Sequence, residues 1–285
     1  MRLLAILGEG LADPATPVIC ADDLGLSRGD GCFEGCRVVT GTGGVSAVDK
    51  LEAHLTRMGH SAAALELPFD AGSWRELVTS ACAAWHEPGE AGMRLLLTRG
   101  RAGSGVPTGL LTISPLPSFY PRQRREGLRI ITLDRGTSSA AYTDAPWLLG
   151  GAKTLSYAVN MAAQREAERR GADDVIFVSS DGDVLESPTS SVVWSVGRTL
   201  HTTPTGASGI LPGTTQQLLF ARAADQDWQA VVARASVDDL HAADVLWLVG
   251  SVRGPVDVVA LDGRYRERHT AVDTEIRQMV GFPAP

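Results

Sequence analysis

Apolar and polar positions along the chain recur in short blocks that predict alternating strands and helices. Residues 37–39 predict a short strand, and the Gly/Thr-rich 40–44 a turn. Residues 47–64 predict a helix, because Leu51, Leu55, Met58 and Ala62 recur at three- and four-residue spacing. Residues 94–98 and 110–114 predict a strand pair joined by a Gly-rich loop, and 128–133 a further strand. The pattern lapses over 134–146, where Arg135-Gly136-Thr137-Ser138-Ser139 and Asp144-Ala145-Pro146 have linker chemistry. It resumes with a helix over 154–170 closed by Gly171, a buried strand over 174–179, and a turn at Asp181-Gly182-Asp183. Strands follow at 184–186, 191–196 and 199–203, then a helix from Gly213 to about residue 224. Strands at 244–249 and 256–261 and a helix over 271–280 complete the chain. The expected fold is mixed α/β (α+β) in two domains: residues 1–133, a linker at 134–146, and residues 147–285.

Composition agrees with a globular protein. The 285 residues are 44% hydrophobic and 21% charged, long enough to bury about three quarters of the unfolded surface without staples. The net charge of −7 argues against nucleic acid as a partner. The densest basic run, Arg122, Arg124, Arg125 and Arg129, is expected to be a solvated surface. Of the four cysteines, Cys32 and Cys36 lack a second ligand pair at zinc spacing, so no metal is expected and the cysteines read as small buried apolar residues. Met1 to Leu7 is too short for a signal peptide, and no apolar run reaches the roughly 18 residues of a membrane span. The expectation is a soluble cytoplasmic protein with a small-molecule substrate and no membrane.

Four segments could carry chemistry. Gly150-Gly151-Ala152-Lys153 sets one of only two lysines in an apolar stretch. A desolvated lysine is a Schiff-base nucleophile, although a lysine at a helix start is also ordinary. Glu186 ends an apolar strand before the hydroxyl cluster of Ser187, Thr189, Ser190 and Ser191. A buried carboxylate there calls for a cationic partner such as a protonated pyridine, and an exposed turn residue would equally fit. Gly213-Thr214-Thr215 opens a helix and offers either a phosphate cradle or a plain N-cap. Arg57 lies beside the apolar face of the 47–64 helix and could reach a phosphate bidentately or simply face solvent. His54 has no evident partner and is expected to be structural.

Taken in order and at these intervals, the segments resemble the class IV (fold-type IV) pyridoxal-phosphate enzymes. These include branched-chain and D-amino-acid aminotransferases and 4-amino-4-deoxychorismate lyases. The resemblance covers nearly the whole chain. Gly29-Asp30-Gly31-Cys32-Phe33-Glu34 is similar to the family's G-D-G-x-F-E-T, and the His54–Arg57 helix, Lys153-Thr154-Leu155, Glu186, Leu211-Pro212-Gly213-Thr214-Thr215 and Gly250-Ser251-Val252-Arg253-Gly254 continue it. The resemblance implies pyridoxal 5'-phosphate as cofactor, a smaller N-terminal α/β domain, a larger C-terminal pseudo-barrel domain, and a homodimer. It assigns Lys153 to the covalent bond with the cofactor and to proton transfer. It assigns Glu186 to the pyridine nitrogen, Arg57, Thr214, Thr215 and Ser251 to the phosphate, and Tyr157 to the phenolic oxygen. Ser191 takes a cofactor-side position where the family often has Asn. Gln216 and Gly35 depart from the family's usual Arg and Thr, and none of the three changes removes a group needed to hold the cofactor.

The reaction turns on the substrate side. Thr98-Arg99-Gly100-Arg101-Ala102-Gly103-Ser104-Gly105 resembles the S-R-G-x-G-G-x-G loop of aminodeoxychorismate lyases, and residues 152–161 resemble actinobacterial members of that group. Arg99, Arg101 and Arg253 are the candidates for a substrate with two carboxylates. The resemblance therefore implies a lyase releasing 4-aminobenzoate and pyruvate in folate biosynthesis. A class IV aminotransferase for D-amino acids or branched-chain amino acids is the alternative.

Overall fold

The computed structural model describes residues 2–284, which form two compact units. The first comprises residues up to 117 together with 152–157, and the second comprises 118–151 and 158 onward.

The first unit contains β1 (Leu3–Ile6), β2 (Gly10–Ala12), α1 (Leu24–Arg28), β3 (Gly31–Thr40), β4 (Ser46–Val48), α2 (Leu51–Ala64), α3 (Ala71–Ala84), β5 (Gly89–Thr98) and β6 (Thr108–Pro115). Its sheet runs β2-β1-β6-β5-β3-β4 and is antiparallel throughout. The side-chain period of two buries Cys32, Glu34, Cys36 and Val38 on one face of β3. Leu55, Met58 and Ala62 of α2, and Trp74, Leu77, Val78 and Ala81 of α3, share a core with Leu95, Leu97, Leu111 and Ile113. The expected helix over 47–64 begins at Leu51, because Ser46–Val48 pair with Val38–Thr40 as β4. The short strand expected at 37–39 is the end of a ten-residue strand. The α3 helix lies outside the expected elements. Its start is set by Asp70, whose carboxylate accepts from the Ser73 N–H at 2.7 Å.

The second unit contains α4 (Phe119–Glu126), β7 (Leu128–Asp134), α5 (Ala158–Arg169), β8 (Asp174–Val178), β9 (Ser191–Val196), β10 (Thr199–Thr202), α6 (Thr214–Ala223), β11 (Gln229–Val232), α7 (Val237–Ala242), β12 (Val245–Gly250), β13 (Gly254–Leu261), β14 (Arg264–Tyr265) and α8 (Thr270–Met279). Its sheet runs β11-β10-β9-β12-β13-β7-β8, with β14 beside β13. The pairs β10–β11, β13–β7 and β7–β8 are parallel.

The division differs from the expected 134–146 boundary. β7 pairs in register with β8, Ile130 opposite Asp174, and with β13, so the chain passes into the second unit at 117/118. Residues 134–146 lie inside that unit, where the Tyr142 N–H donates to the Ala207 carbonyl at 3.1 Å. The helix expected over 154–170 begins only at Ala158, because the preceding residues are extended. Thr154 bridges Cys32, the Phe33 N–H donates to the Lys153 carbonyl at 3.0 Å, and the Leu155 N–H donates to the Gly31 carbonyl at 2.8 Å. Gly171 closes α5 at φ +74, as expected of a helix-ending glycine.

Two further expectations are corrected. Arg124 is buried, not part of a solvated surface. Its guanidinium donates to the carbonyls of Arg253 and Val252. Cys20 is exposed, whereas Cys32, Cys36 and Cys82 are buried. Among the described residues, no helix is long and apolar enough to cross a membrane.

Candidate active site

In the first unit, the pairing with β3 fixes the Lys153 backbone, and the Lys153 N–H also donates to Ser61 Oγ at 3.0 Å. Ser61 is buried on α2, and its hydroxyl donates to the Arg57 carbonyl at 3.1 Å. Lys153 Nζ lies 4.5 Å from the centre of the Phe33 ring and 3.4 Å from Tyr157 Oη. Phe33 and Tyr157 meet edge to face at 5.2 Å. The amine thus stands between two aromatic rings with a phenol in reach, a setting suited to covalent chemistry and proton transfer.

Beneath it, Glu34 accepts from Arg57 Nε at 2.8 Å and Nη2 at 2.7 Å, and shares a 2.7 Å hydrogen bond with His54 Nδ1. His54, expected to lack a partner, therefore has one. Burial alone would raise the Glu34 pKa, but the hydrogen bonds and charges of Arg57 and His54 outweigh it and lower the value to about 2. Burial pushes the His54 pKa down, and the Glu34 carboxylate opposes part of that shift. Arg57 is buried on α2 with its guanidinium fixed by two bonds, rather than lying on a solvent face.

In the second unit, Glu186 follows the Asp181–Asp183 turn. Its Oε2 accepts from the Leu211 N–H at 3.2 Å, and its carbonyl accepts from the Phe177 N–H at 2.9 Å. Residues 184–186 form no ladder; Val184 makes an isolated bridge to Val178. Thr214 and Thr215 open α6 after Gly213, with no side-chain cap on the helix. Their hydroxyls lie 2.9 and 3.2 Å from Ser251 Oγ. A Cβ on Gly213 would stand 2.2 Å from Ser191 Oγ, so the Ser191 hydroxyl borders the helix start and would have to move to admit a larger residue there. Three clustered hydroxyls, a fourth beside them and uncapped helix N–H groups are a donor set for a phosphate monoester. A carboxylate at Glu186 suits a protonated ring nitrogen. The groups in each unit therefore fit pyridoxal 5'-phosphate.

The substrate arginines fare differently from one another. Arg99 donates to Asp30 at 2.6 and 3.1 Å and to the Leu65 carbonyl at 2.6 Å. Arg101 pairs with Asp22 at 2.9 Å in an exposed position. Arg253 is buried 2.9 Å from Asp174 and donates to Ser190 Oγ at 3.0 Å, so its guanidinium is engaged by the fold. Ser61, Phe33 and Asp174 were not singled out from the sequence, and Ser190 was noted only as one of the hydroxyls after Glu186. Phe33 carried a signal too, since it lies within the Gly29–Glu34 motif.

Comparison with known proteins agrees with this chemistry. Residues 31–261 match the family model described as amino-transferase class IV. A bifunctional aminodeoxychorismate lyase / D-amino acid transaminase of Mycobacterium tuberculosis is 41% identical over 92% of each chain. A fold IV-transaminase structure from Curtobacterium pusillum is 41% identical, covers 99% of each chain and superposes with a TM-score of 0.91. The PLP-bound form of a hypothetical aminotransferase from M. tuberculosis is 39% identical over 98% of this chain and 97% of that one, with a TM-score of 0.91. With its donor groups and these likenesses in agreement, the chain belongs to the class IV aminotransferase family and uses pyridoxal 5'-phosphate.

Proposed function

We propose that the protein is a lyase that converts 4-amino-4-deoxychorismate to 4-aminobenzoate and pyruvate, in folate biosynthesis. The observation that carries the reading is the 41% identity, over 92% of both chains, to a relative whose name includes aminodeoxychorismate lyase. Arg57, Thr214, Thr215 and Ser251 would hold the cofactor phosphate, with Ser191 beside them. Glu186 would hold the pyridine nitrogen and Tyr157 the phenolic oxygen. When bound, pyridoxal phosphate supplies an electron sink for the substrate carbon that carries the amine. Lys153 Nζ takes the proton from that ring carbon and returns one to the methylene of the enolpyruvyl group. Pyruvate then departs and the ring becomes aromatic, so atoms balance without a second substrate.

Arg101 is the arginine best suited to a substrate carboxylate. Its pair with Asp22 is exposed and solvent-screened, so an incoming carboxylate can exchange for Asp22. Arg99, with three bonds already made, steadies the loop. The same relative's name also includes D-amino acid transaminase, which favours a second reading as an aminotransferase. Mixing the holoenzyme with D-alanine or L-leucine and following the bound cofactor's absorbance separates the two. The lyase reading expects no conversion at catalytic rates. Full, rapid conversion to pyridoxamine phosphate with no 4-aminobenzoate formed from 4-amino-4-deoxychorismate would sink it.

The reading also places the protein in the cytoplasm as a homodimer. Trp147, 75% exposed, and the exposed Leu148, Val159 and Met161 of the second unit support self-association. Light scattering should give twice the 30.1 kDa chain mass, and Trp147→Glu should lower it. A monomeric wild-type protein would refute the dimer.

A further inference from the structure

Gly250 and Gly254 pair across the end of β12 and β13, leaving Ser251, Val252 and Arg253 as a three-residue turn. Ser251 Oγ meets the hydroxyls of Thr214 and Thr215. Arg253 turns instead to Asp174, which is fully buried at the start of β8. One nitrogen, Arg253 Nη2, makes both contacts: 2.9 Å to Asp174 Oδ2 and 3.0 Å to Ser190 Oγ. Among the described residues Arg253 Nε makes no hydrogen bond. Arg124 grips the other side of the turn through the Val252 carbonyl at 2.9 Å and the Arg253 carbonyl at 2.6 Å.

Ser190 also closes the turn that follows Glu186. The Ser187 and Ser190 backbones bond each other at 2.9 and 3.4 Å, and a Cβ on Gly250 would lie 3.0 Å from Ser190 Oγ. The turn after Glu186 therefore packs directly on the strand that leads to Ser251. A buried guanidinium separated from its carboxylate is strongly disfavoured, so Arg253 stays on Asp174 and Ser190 stays on Arg253.

We propose that Asp174, Arg253 and Ser190 form a buried brace that holds the Ser251 turn at a set distance from Glu186. The brace keeps the phosphate hydroxyls and the ring-nitrogen carboxylate matched to the two ends of one cofactor. These are positioning residues acting through Glu186 and Ser251, so the inference rests on the roles given to those two groups above.

Ser190→Ala is the informative variant, because it removes one hydroxyl and leaves the ion pair intact. Its holoenzyme should release pyridoxal phosphate about tenfold more readily, a loss equivalent to about 1.4 kcal/mol. The pH dependence of the bound cofactor's absorbance should shift, a change that lowered stability alone would not produce. Ser190→Thr should restore both readouts. Combined with Ser251→Ala, the loss should fall short of the sum of the single losses. Wild-type affinity and spectrum in Ser190→Ala, with Ser251→Ala weakened, would overturn the brace alone. If Ser251→Ala and Glu186→Gln both bind the cofactor as the wild type does, the site assignment fails and the brace fails with it.

Discussion

At the scale of single residues, the contacts that fix Arg57 show how a proposed phosphate ligand is tied to the fold. Glu34, Arg57 and His54 form a buried charged cluster in which Glu34 faces two donors. Removing one partner of such a cluster leaves a buried charge uncompensated, which costs about 3–5 kcal/mol. Glu34→Gln should therefore lower unfolding stability by that order in denaturant titration; a loss below the error of the measurement would contradict the cluster's role. The sign with pH follows from both depressed values. The folded pKa of Glu34, about 2, lies below the ordinary 4.5, so its contribution is complete above about pH 4.5 and is lost as pH falls toward 2. The folded His54 pKa is likewise below 6.5, so the unfolded chain takes up that proton first and stability declines as pH drops below about 6.5. Glu34→Gln should flatten the lower part of this curve.

The thiols give a simpler check. Burial, assisted by the Glu34 charge, pushes the Cys32 thiol up to about 12, burial raises Cys36 well above its ordinary value, and burial also raises Cys82. An alkylating reagent should modify the exposed Cys20 alone in the native protein, and all four cysteines after denaturation. Rapid native modification of Cys32 or Cys36 would contradict the packing of β3.

At the scale of elements, the start of α6 is tightly packed against Ser191. Alanine at Gly213 would drive its Cβ into Ser191 Oγ, so either the hydroxyl or the helix start must move. Gly213→Ala should weaken cofactor binding by about tenfold, near 1.4 kcal/mol. Adding Ser191→Ala should recover much of it, because the next contact, Ser191 Cβ at 3.5 Å, is ordinary van der Waals distance. Failure of the double variant to recover affinity would place the strain elsewhere.

Sequence periodicity found β9 at its observed bounds, and found α6, β12, β13 and α8 to within a residue or two, because each has a strong apolar run or a clear stop signal. It misplaced the Lys153 segment for a physical reason. Ala152, Lys153 and Leu155 are good helix formers, but bonds to Gly31 and Phe33, far away in sequence, hold the segment extended. The α3 helix carried the apolar spacing of Trp74, Leu77, Val78, Ala81 and Cys82, and its Asp70 start signal was equally legible.

At the scale of the whole molecule, the chain's acidic balance says little about where its charges act. Arg57, Arg124, Arg253 and Arg277 are all buried against carboxylates or backbone carbonyls, an arrangement that composition does not show. The site motifs were legible because their residue types and order carry the chemistry. The partners that fix them, Ser61 and Asp174, were not, since a buried serine or aspartate looks like a surface one until the fold brings its partner near; Ser190 was visible as a hydroxyl, but its contact with Arg253 was not. Arg253 shows the same limit from the other side: its motif suggested substrate, and its burial beside Asp174 was not visible in the sequence.

The central claim is a lyase reaction dependent on Lys153, and product formation tests it most directly. Purified holoenzyme should be given enzymatically generated 4-amino-4-deoxychorismate with no keto acid present. Equal amounts of 4-aminobenzoate and pyruvate should appear over many turnovers, with Lys153→Ala slower by at least about 10³-fold. Absence of 4-aminobenzoate from an enzyme that turns over D-alanine with a keto acid would contradict the lyase assignment.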